Sequence, residues 1–397
     1  MQVIESLDIT PTMFDNATDK YQAIAKFLAS KGVDADIYPQ GSFALGTVVR
    51  PVTRTPDAGY DLDLICQLRK DREEQSPGEL RSEVERILKD SELYGGKLEL
   101  FDQCITIHYA DVGKVSFSID VVPAANESDI NKQRLVEKSQ VPMLIRSSIA
   151  IPMYQEKVYT WATNNPKGYR EWFEEINRPF LAVVSEKQRR ALFESNARVY
   201  ASIEDIPDSH LRSAVQRVIQ ILKAHRNVHF SHLKDGDVLK PISAILSTIA
   251  AQVAQPMNPW TSVFDLLKAV LEDFHTYGHY RNPNMTEKVF TETYVGKSLI
   301  ARRNREWILE NPANPEDNLV DKWNENPDAA QAFFNWIDVA YKDLTMAFDL
   351  KDNEFRAKMD SAFGESTVSK VWGSKYRQSA PRIITSSNAM PKPWRMQ

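Results

Sequence analysis

Cysteine is nearly missing from this sequence: Cys66 and Cys104 are the two in 397 residues. No CxxC spacing and no paired framework exist, which excludes a zinc ribbon and a disulfide scaffold. Both thiols sit in apolar, strand-like stretches and are expected in the core. An excess of charge of one sign is also missing. Lys and Arg number 49 against 54 Asp and Glu, for a net charge of -5. Bulk charge therefore gives no reason to expect stable binding of long nucleic acid, although a local basic groove stays open. No membrane-spanning segment is expected. The most apolar segment, PISAILSTIAAQVAQP, is short and carries Ser, Thr and Gln, so it reads as a buried helix. The opening MQVIESLDITPTMF has no basic stretch leading into an apolar one, so no signal peptide is expected. These absences point to a cytoplasmic protein with no membrane partner.

What is present is an ordinary globular composition, 42% hydrophobic and 10% aromatic, in a chain long enough for two domains. The first part alternates helix and strand patterns. Tyr21, Ile24, Ala25 and Leu28 recur at helical spacing, with Gly32 placed to end that helix. SPGELRSEVERILKDSE has the Ser-Pro start of a second helix. Strands are expected at YDLDLICQL, KLELF, CITIHYA and VSFSIDVVPA. From about residue 155 the pattern turns mostly helical. The helices are expected in DSHLRSAVQRVIQILKAHRNVHF, PISAILSTIAAQVAQ, TSVFDLLKAVLEDFHTYG, DAAQAFFNWIDVAYKDLTMAF and NEFRAKMDSAF. SAPRIITSSNAMPKPWRMQ, with three prolines, reads as a loose tail. The expected organisation is an α+β core over 1–155, a helical domain over 156–378 and a flexible tail over 379–397. A ligand cleft between the two halves is the natural expectation.

The chemistry concentrates in two short segments. QGSFALGTVVRP offers a small turn, Gly41-Ser42, where backbone can approach phosphates. YDLDLICQL then sets Asp61 and Asp63 at i and i+2, on one face if the segment is a strand. Leu62 and Leu64 would point the other way, into a core. Two carboxylates on one face repel unless a cation lies between them. Magnesium is the obvious candidate, a hard ion that takes oxygen ligands and couples to phosphates. In VSFSIDVVPA, Phe117, Ile119 and Val121 alternate with Ser116, Ser118 and Asp120. Asp120 is thus expected on a polar strand face, turned to the same cavity as Asp61 and Asp63.

Gly-Ser, then Asp-x-Asp, then a lone Asp on a later strand resembles the nucleotidyltransferases of the DNA polymerase β type. WATNNPKGYREWF resembles the link between the catalytic core and the helical half in the cGAS/DncV-like nucleotidyltransferases (CD-NTases) of bacterial antiphage signalling (CBASS). NPANPEDNLVDKW, followed by AFFNWIDVAYKDL, is similar to a late helical motif of that group. These segments span roughly residues 38 to 345. The resemblance implies a polymerase-β-like core, a mixed sheet with helices, and a helical C-terminal domain. It implies Asp61, Asp63 and Asp120 as ligands of Mg²⁺ or Mn²⁺, with Asp120 activating the attacking hydroxyl through its metal. Gly41 and Ser42 would hold the donor triphosphate. Lys223 matches a lysine set against that triphosphate, and Ser243 a serine in the same role, with HFSHLKDGDV between the two. The implied activity joins ribonucleoside triphosphates into a cyclic di- or trinucleotide, with loss of pyrophosphate. The product would act on a separate effector protein. The alternatives are nucleotidyl transfer to a protein or RNA end, and an inactive nucleotide sensor.

Other residues carry blander readings. His225, His229 and His232 fall at i, i+4 and i+7, but no acid completes a zinc set, so a partly exposed cluster is expected. Arg50 and Arg54 could steer a nucleotide or sit in an exposed loop. Tyr60, Tyr154 and Phe180 are aromatic candidates for base stacking, and nothing in their spacing selects one.

Overall fold

The computed structural model describes residues 1–50, 60–112, 115–195, 211–294 and 298–376. The loop with Arg54 and the expected tail at 379–397 lie outside them. The N-terminal half is built on a seven-stranded mixed sheet. Its strands are β1 (Ala35–Pro39), β2 (Tyr60–Asp71), β3 (Leu98–Leu100), β4 (Ile105–Val112), β5 (Val115–Asn126), β6 (Ile149–Gln155) and β7 (Val158–Asn164). The order is β1-β2-β5-β4-β3, with β6 joined to the far end of β5 and β7 to β6. β2 and β5 run parallel, and every other pair in this sheet is antiparallel. β6 and β7 carry the sheet to Asn164, past residue 155 where the pattern was expected to turn helical. The YTWATN segment is pulled into strand by pairing with β6, where β-branched and aromatic residues fit a pleated surface.

Short α1 (Gln2–Glu5) and long α2 (Pro11–Ser30) open the chain, α3 (Gly41–Ala44) is a single turn after β1, and α4 (Pro77–Lys89) crosses between β2 and β3. Helix α2 starts at Thr10, whose hydroxyl accepts from the Met13 N–H, and Gly32 follows its end at φ +84°. Ser76 and Glu79 form a reciprocal capping box on α4. Leu62, Leu64, Ile119 and Val121 are fully buried with Leu80, Val84 and Leu88 of α4. Each such side chain contributes roughly 1.5–3 kcal/mol by leaving water, so the parity of β2 and β5 is fixed. Helix α5 (Asp129–Lys138) follows β5.

The rest is mostly helical, with two small two-stranded sheets over residues 301–308 and 310–318. Its elements are α6 (Pro166–Ser195), α7 (Ala214–Ser231), α8 (Gly236–Leu239), α9 (Ser243–Ala254), α10 (Val263–Tyr277), α11 (Glu287–Thr293), α12 (Lys322–Glu325), α13 (Pro327–Tyr341), α14 (Asp352–Phe363) and α15 (Glu365–Trp372). Helix α7 is the centre, buried on nearly every face and packed by α9, α10 and α14. The stretch Gly236–Ala254 is apolar and long enough to cross a membrane, and half of its apolar window is buried inside this bundle. α1 packs against α7 and α15, so the first residues of the chain belong to the helical core.

Two expectations are corrected. NPANPEDNLVDKW is not helical. It forms a small hairpin, Glu310–Asn311 paired with Asn314–Asn318, and reaches α12 only at its end. Its prolines and asparagines favour turns over helix interior. The histidine reading is corrected at one residue: His229 is half-buried and His232 exposed as expected, but His225 is buried. Trp336 Nε1, which can only donate, reaches His225 Nδ1 at 2.9 Å, so Nε2 donates to Asp343 Oδ2 at 3.3 Å.

The hairpin is stitched to the sheet. Asn165, 1% exposed, donates to the carbonyls of Leu144 (2.9 Å) and Ala313 (2.7 Å) and accepts from the Gly168 N–H at the head of α6. Asn314 Nδ2 donates to Thr163 O at 3.1 Å. Replacing Asn165 with Ala should destabilise the protein by about 2–3 kcal/mol, because two buried carbonyls lose their donor. Urea unfolding measures this, and a loss below about 0.5 kcal/mol would contradict it.

Candidate active site

The site begins with the turn after β1. The Gln40 N–H donates to Asp63 O at 2.8 Å, pinning the turn to β2. Gly41 has φ +61°, and a Cβ there would lie 2.4 Å from Asp63 Oδ2. Glycine is thus required twice, for its backbone and for the carboxylate against it. The Thr47 N–H closes onto Ser42 O at 2.9 Å.

Helix α7 holds the far side of this turn. Gln216 Nε2 donates to Leu45 O at 2.9 Å, Gln220 Nε2 to Val48 O at 3.0 Å and Lys223 Nζ to Thr47 O at 2.9 Å. These residues stand at i, i+4 and i+7, a single stripe on the helix. The polar face of α7 therefore serves backbone carbonyls rather than water. Sequence reasoning singled out Lys223 and missed the two glutamines. Their signal was polar residues at helical spacing on a helix otherwise too apolar for a surface.

The acids come from the parallel pair. Asp63 of β2 stands opposite Asp120 of β5 in register, and Asp61 opposite Ser118. Register partners on neighbouring strands sit about 4.8 Å apart and share a face. Asp63 and Asp120 are half-buried, while Leu62, Leu64, Ile119 and Val121 fill the opposite face. Asp61 holds its strand position two residues before Asp63, and its side chain lies outside what the structure describes. Thr106 of β4, also in register with Asp120, donates its hydroxyl to Asp120 Oδ1 at 2.6 Å. Thr106 was another residue unread in the sequence. Among the described residues no trio of His, Cys, Asp or Glu gathers as a metal site. The described part contributes the Asp63–Asp120 pair. This all-oxygen set, with two like charges at paired positions, fits a hard divalent cation.

Cations stand behind the turn. Lys223 is 6% exposed, and its ammonium is pushed down to about 7, chiefly by burial and then by Arg226, with Asp63 pulling it back up. Arg226, one helical turn on, is 5% exposed and donates to Pro241 O at 2.8 Å and to Ser243 Oγ at 3.2 Å. Ser243 opens α9. Gly41, Ser42, Thr47 and Ser243 line one cavity of about 460 Å³ between the sheet and the helical half. The structure thus gathers Gly41, Ser42, Asp63, Asp120, Lys223 and Ser243 around one place, despite the intervening HFSHLKDGDV. Among the described side chains it does not bring in Arg50, Tyr154 or Phe180, and the side chains of Arg54 and Tyr60 lie outside those described. Arg50 donates to Ser6 O, Tyr154 is exposed and Phe180 is buried in the helical core. Among the described residues, the aromatic ring on the cavity wall is Tyr169.

Residues 35–123 match the family model for the nucleotidyltransferase domain of cyclic GMP-AMP synthase DncV-like proteins. This segment is similar to a DncV-like nucleotidyltransferase domain. The chain is 25% identical, over 366 residues, to a c-di-GMP synthase of Roseivirga ehrenbergii, covering 90% of this chain and 81% of that one. Its fold is shared with the CD-NTase CdnG of Bradyrhizobium diazoefficiens, solved with GTP: TM-score 0.65, 19% identity, 93% and 96% of the two chains. It is also shared with Vibrio cholerae DncV, solved with a linear dinucleotide intermediate: TM-score 0.51, 16% identity, 84% and 70% covered.

Two outcomes follow from the geometry. Gly41→Ala should cost about 1–2 kcal/mol of stability through its left-handed backbone. It should cost far more in turnover, about 100-fold or greater, by displacing Asp63; steady-state rates beside a melting curve separate the two. The cationic form of Lys223 prevails below about pH 7 and the neutral form above it. Triphosphate affinity should therefore weaken as pH rises through that value, and Lys223→Met should weaken binding and flatten the profile. Titration calorimetry across pH checks this, and an unchanged slope in the variant would contradict it.

Proposed function

We propose that this protein joins ribonucleoside triphosphates into a cyclic di- or trinucleotide and releases pyrophosphate. The observation that carries this reading is the Asp63–Asp120 pair set against Gly41, in front of the buried Lys223, at the edge of a cavity sized for nucleotides. The activity named for the Roseivirga relative, and the GTP and linear dinucleotide held by the structural neighbours, support it.

In this reading the Gly41-Ser42 turn receives the triphosphate of the donor nucleotide through backbone N–H groups and the Ser42 hydroxyl. Lys223 and Ser243 add charge and a hydrogen bond from the helical side. A 2′- or 3′-hydroxyl of the second nucleotide attacks the α-phosphorus, and the bond from that phosphorus to the bridging oxygen of pyrophosphate breaks. Asp61, Asp63 and Asp120 would hold Mg²⁺ or Mn²⁺, which when bound supplies charge stabilisation and an acidified hydroxyl. Thr106 fixes the orientation of Asp120 for that task. Most of the rate then comes from positioning and electrostatics, with no covalent enzyme intermediate. A second round of the same step closes the ring. The product would be read by a separate effector in antiphage defence, inside the cytoplasm, as the family resemblance implies.

The test is incubation with all four ribonucleoside triphosphates and Mg²⁺ or Mn²⁺, followed by mass analysis. A phosphatase-resistant cyclic product is expected, and Asp63→Ala or Asp120→Ala should lower its rate by about 1,000-fold or more. Label appearing on protein or on an RNA end instead would overturn the reading. So would full turnover in both alanine variants.

A further inference from the structure

The wall of the cavity opposite the Gly-Ser turn in sequence is the Glu310–Asn318 hairpin, which contributes Asn311, Asp317 and Asn318, with Asp321 just beyond. Most of these polar groups are already committed. Asn318 Oδ1 accepts from the Leu309 and Val320 N–H groups (2.9 and 3.3 Å), and its Nδ2 donates to Trp307 O at 2.8 Å. Asn311 Oδ1 accepts from the Ala313 N–H at 2.9 Å, which fixes the amide so that Nδ2 donates to Asp317 Oδ2 at 2.8 Å. Asn318 and Asn311 are therefore scaffold. The hairpin is immobilised by Asn165, by Asn314 and by Glu316, which pairs with Arg134 at 2.7 Å and Lys138 at 2.5 Å.

Asp317 is the exception. It is half-buried on the cavity wall, and one amide hydrogen bond to Oδ2 is its described partner. Among the described residues nothing cationic offsets it. Burial first, and then the neighbouring Asp321, push its carboxyl above the ordinary range, with Asn311 pulling the other way. A carboxylate can only accept hydrogen bonds. It would also repel phosphates, which have the Lys223 and Arg226 side of the cavity to go to. What suits a rigid, acceptor-only group in a nucleotide cavity is a base edge carrying adjacent donors.

Guanine alone among the four bases carries two neighbouring donors, N1–H and the 2-amino group, on its Watson–Crick edge. Adenine places an acceptor, N1, beside its single amino donor. Resting on the nucleotide-joining function above, we propose that Asp317 selects guanine by accepting from N1–H and the 2-amino group, making GTP the preferred substrate. An amide at this position would present a donor beside an acceptor, the complement of adenine.

The experiment measures equilibrium affinity and turnover for GTP, inosine triphosphate and ATP in the wild-type protein and in Asp317→Asn. Inosine triphosphate keeps N1–H and lacks the 2-amino group. In the wild type it should be about tenfold weaker than GTP and ATP about 100-fold weaker, steps of about 1.4 and 2.7 kcal/mol. In Asp317→Asn the preference for GTP over ATP should vanish or invert, with the melting temperature unchanged or raised because a buried charge is gone. Equal wild-type affinities for GTP and ATP would overturn the proposal, and so would a variant that keeps the wild-type ratio. The wild-type series stands even if the variant does not fold. Selective GTP binding without any nucleotide product would leave base selection intact and sink the synthase reading. Turnover without base preference would do the reverse, and no nucleotide binding at all would sink both.

Discussion

Three side chains on one stripe of α7, Gln216, Gln220 and Lys223, grip three carbonyls of the segment that follows the Gly41-Ser42 turn. This contact joins the two halves of the protein at the point where the chemistry is expected. Each neutral hydrogen bond contributes roughly 1 kcal/mol, but their geometric effect is larger. The turn is fixed from one side by α7 and from the other by the Gln40 hydrogen bond to β2. Gly41 is left with its bare Cα against the Asp63 carboxylate. Any tilt of the helical half would move the turn relative to the acids.

The buried cations follow from the same contact. Lys223 and Arg226 lie deep in the helical core with backbone, hydroxyl and amide oxygens accepting from them rather than carboxylates. Burying a cation this way is costly unless an anion arrives. On this account the nucleotide completes the electrostatics of α7, just as divalent ions complete those of the paired acids.

Much of this was legible in the sequence, for identifiable reasons. Strict alternation around Asp63 and Asp120 gave strand parity, because a one-residue slip would have exposed Leu62 or Ile119. Capping chemistry at Ser76 and the apolar spacing of α9 and α10 gave helices. What stayed hidden depended on partners distant in the chain. Strand β7 exists because β6 pairs with it. The NPANPEDN segment was expected helical from its resemblance to a late helical motif but folds as a hairpin held by Asn165 and Thr163. The partners of the polar stripe of α7, the carbonyls of residues 45, 47 and 48, carry no side-chain signature. The same holds for Thr106, whose role comes only from its register with Asp120.

The most direct test is a crystal structure with a non-hydrolysable triphosphate and Mn²⁺, located by anomalous scattering. The account predicts manganese between Asp63 and Asp120, and phosphates on the Gly41-Ser42 turn within reach of Lys223. Triphosphate seated elsewhere, or manganese bound away from both acids, would contradict it.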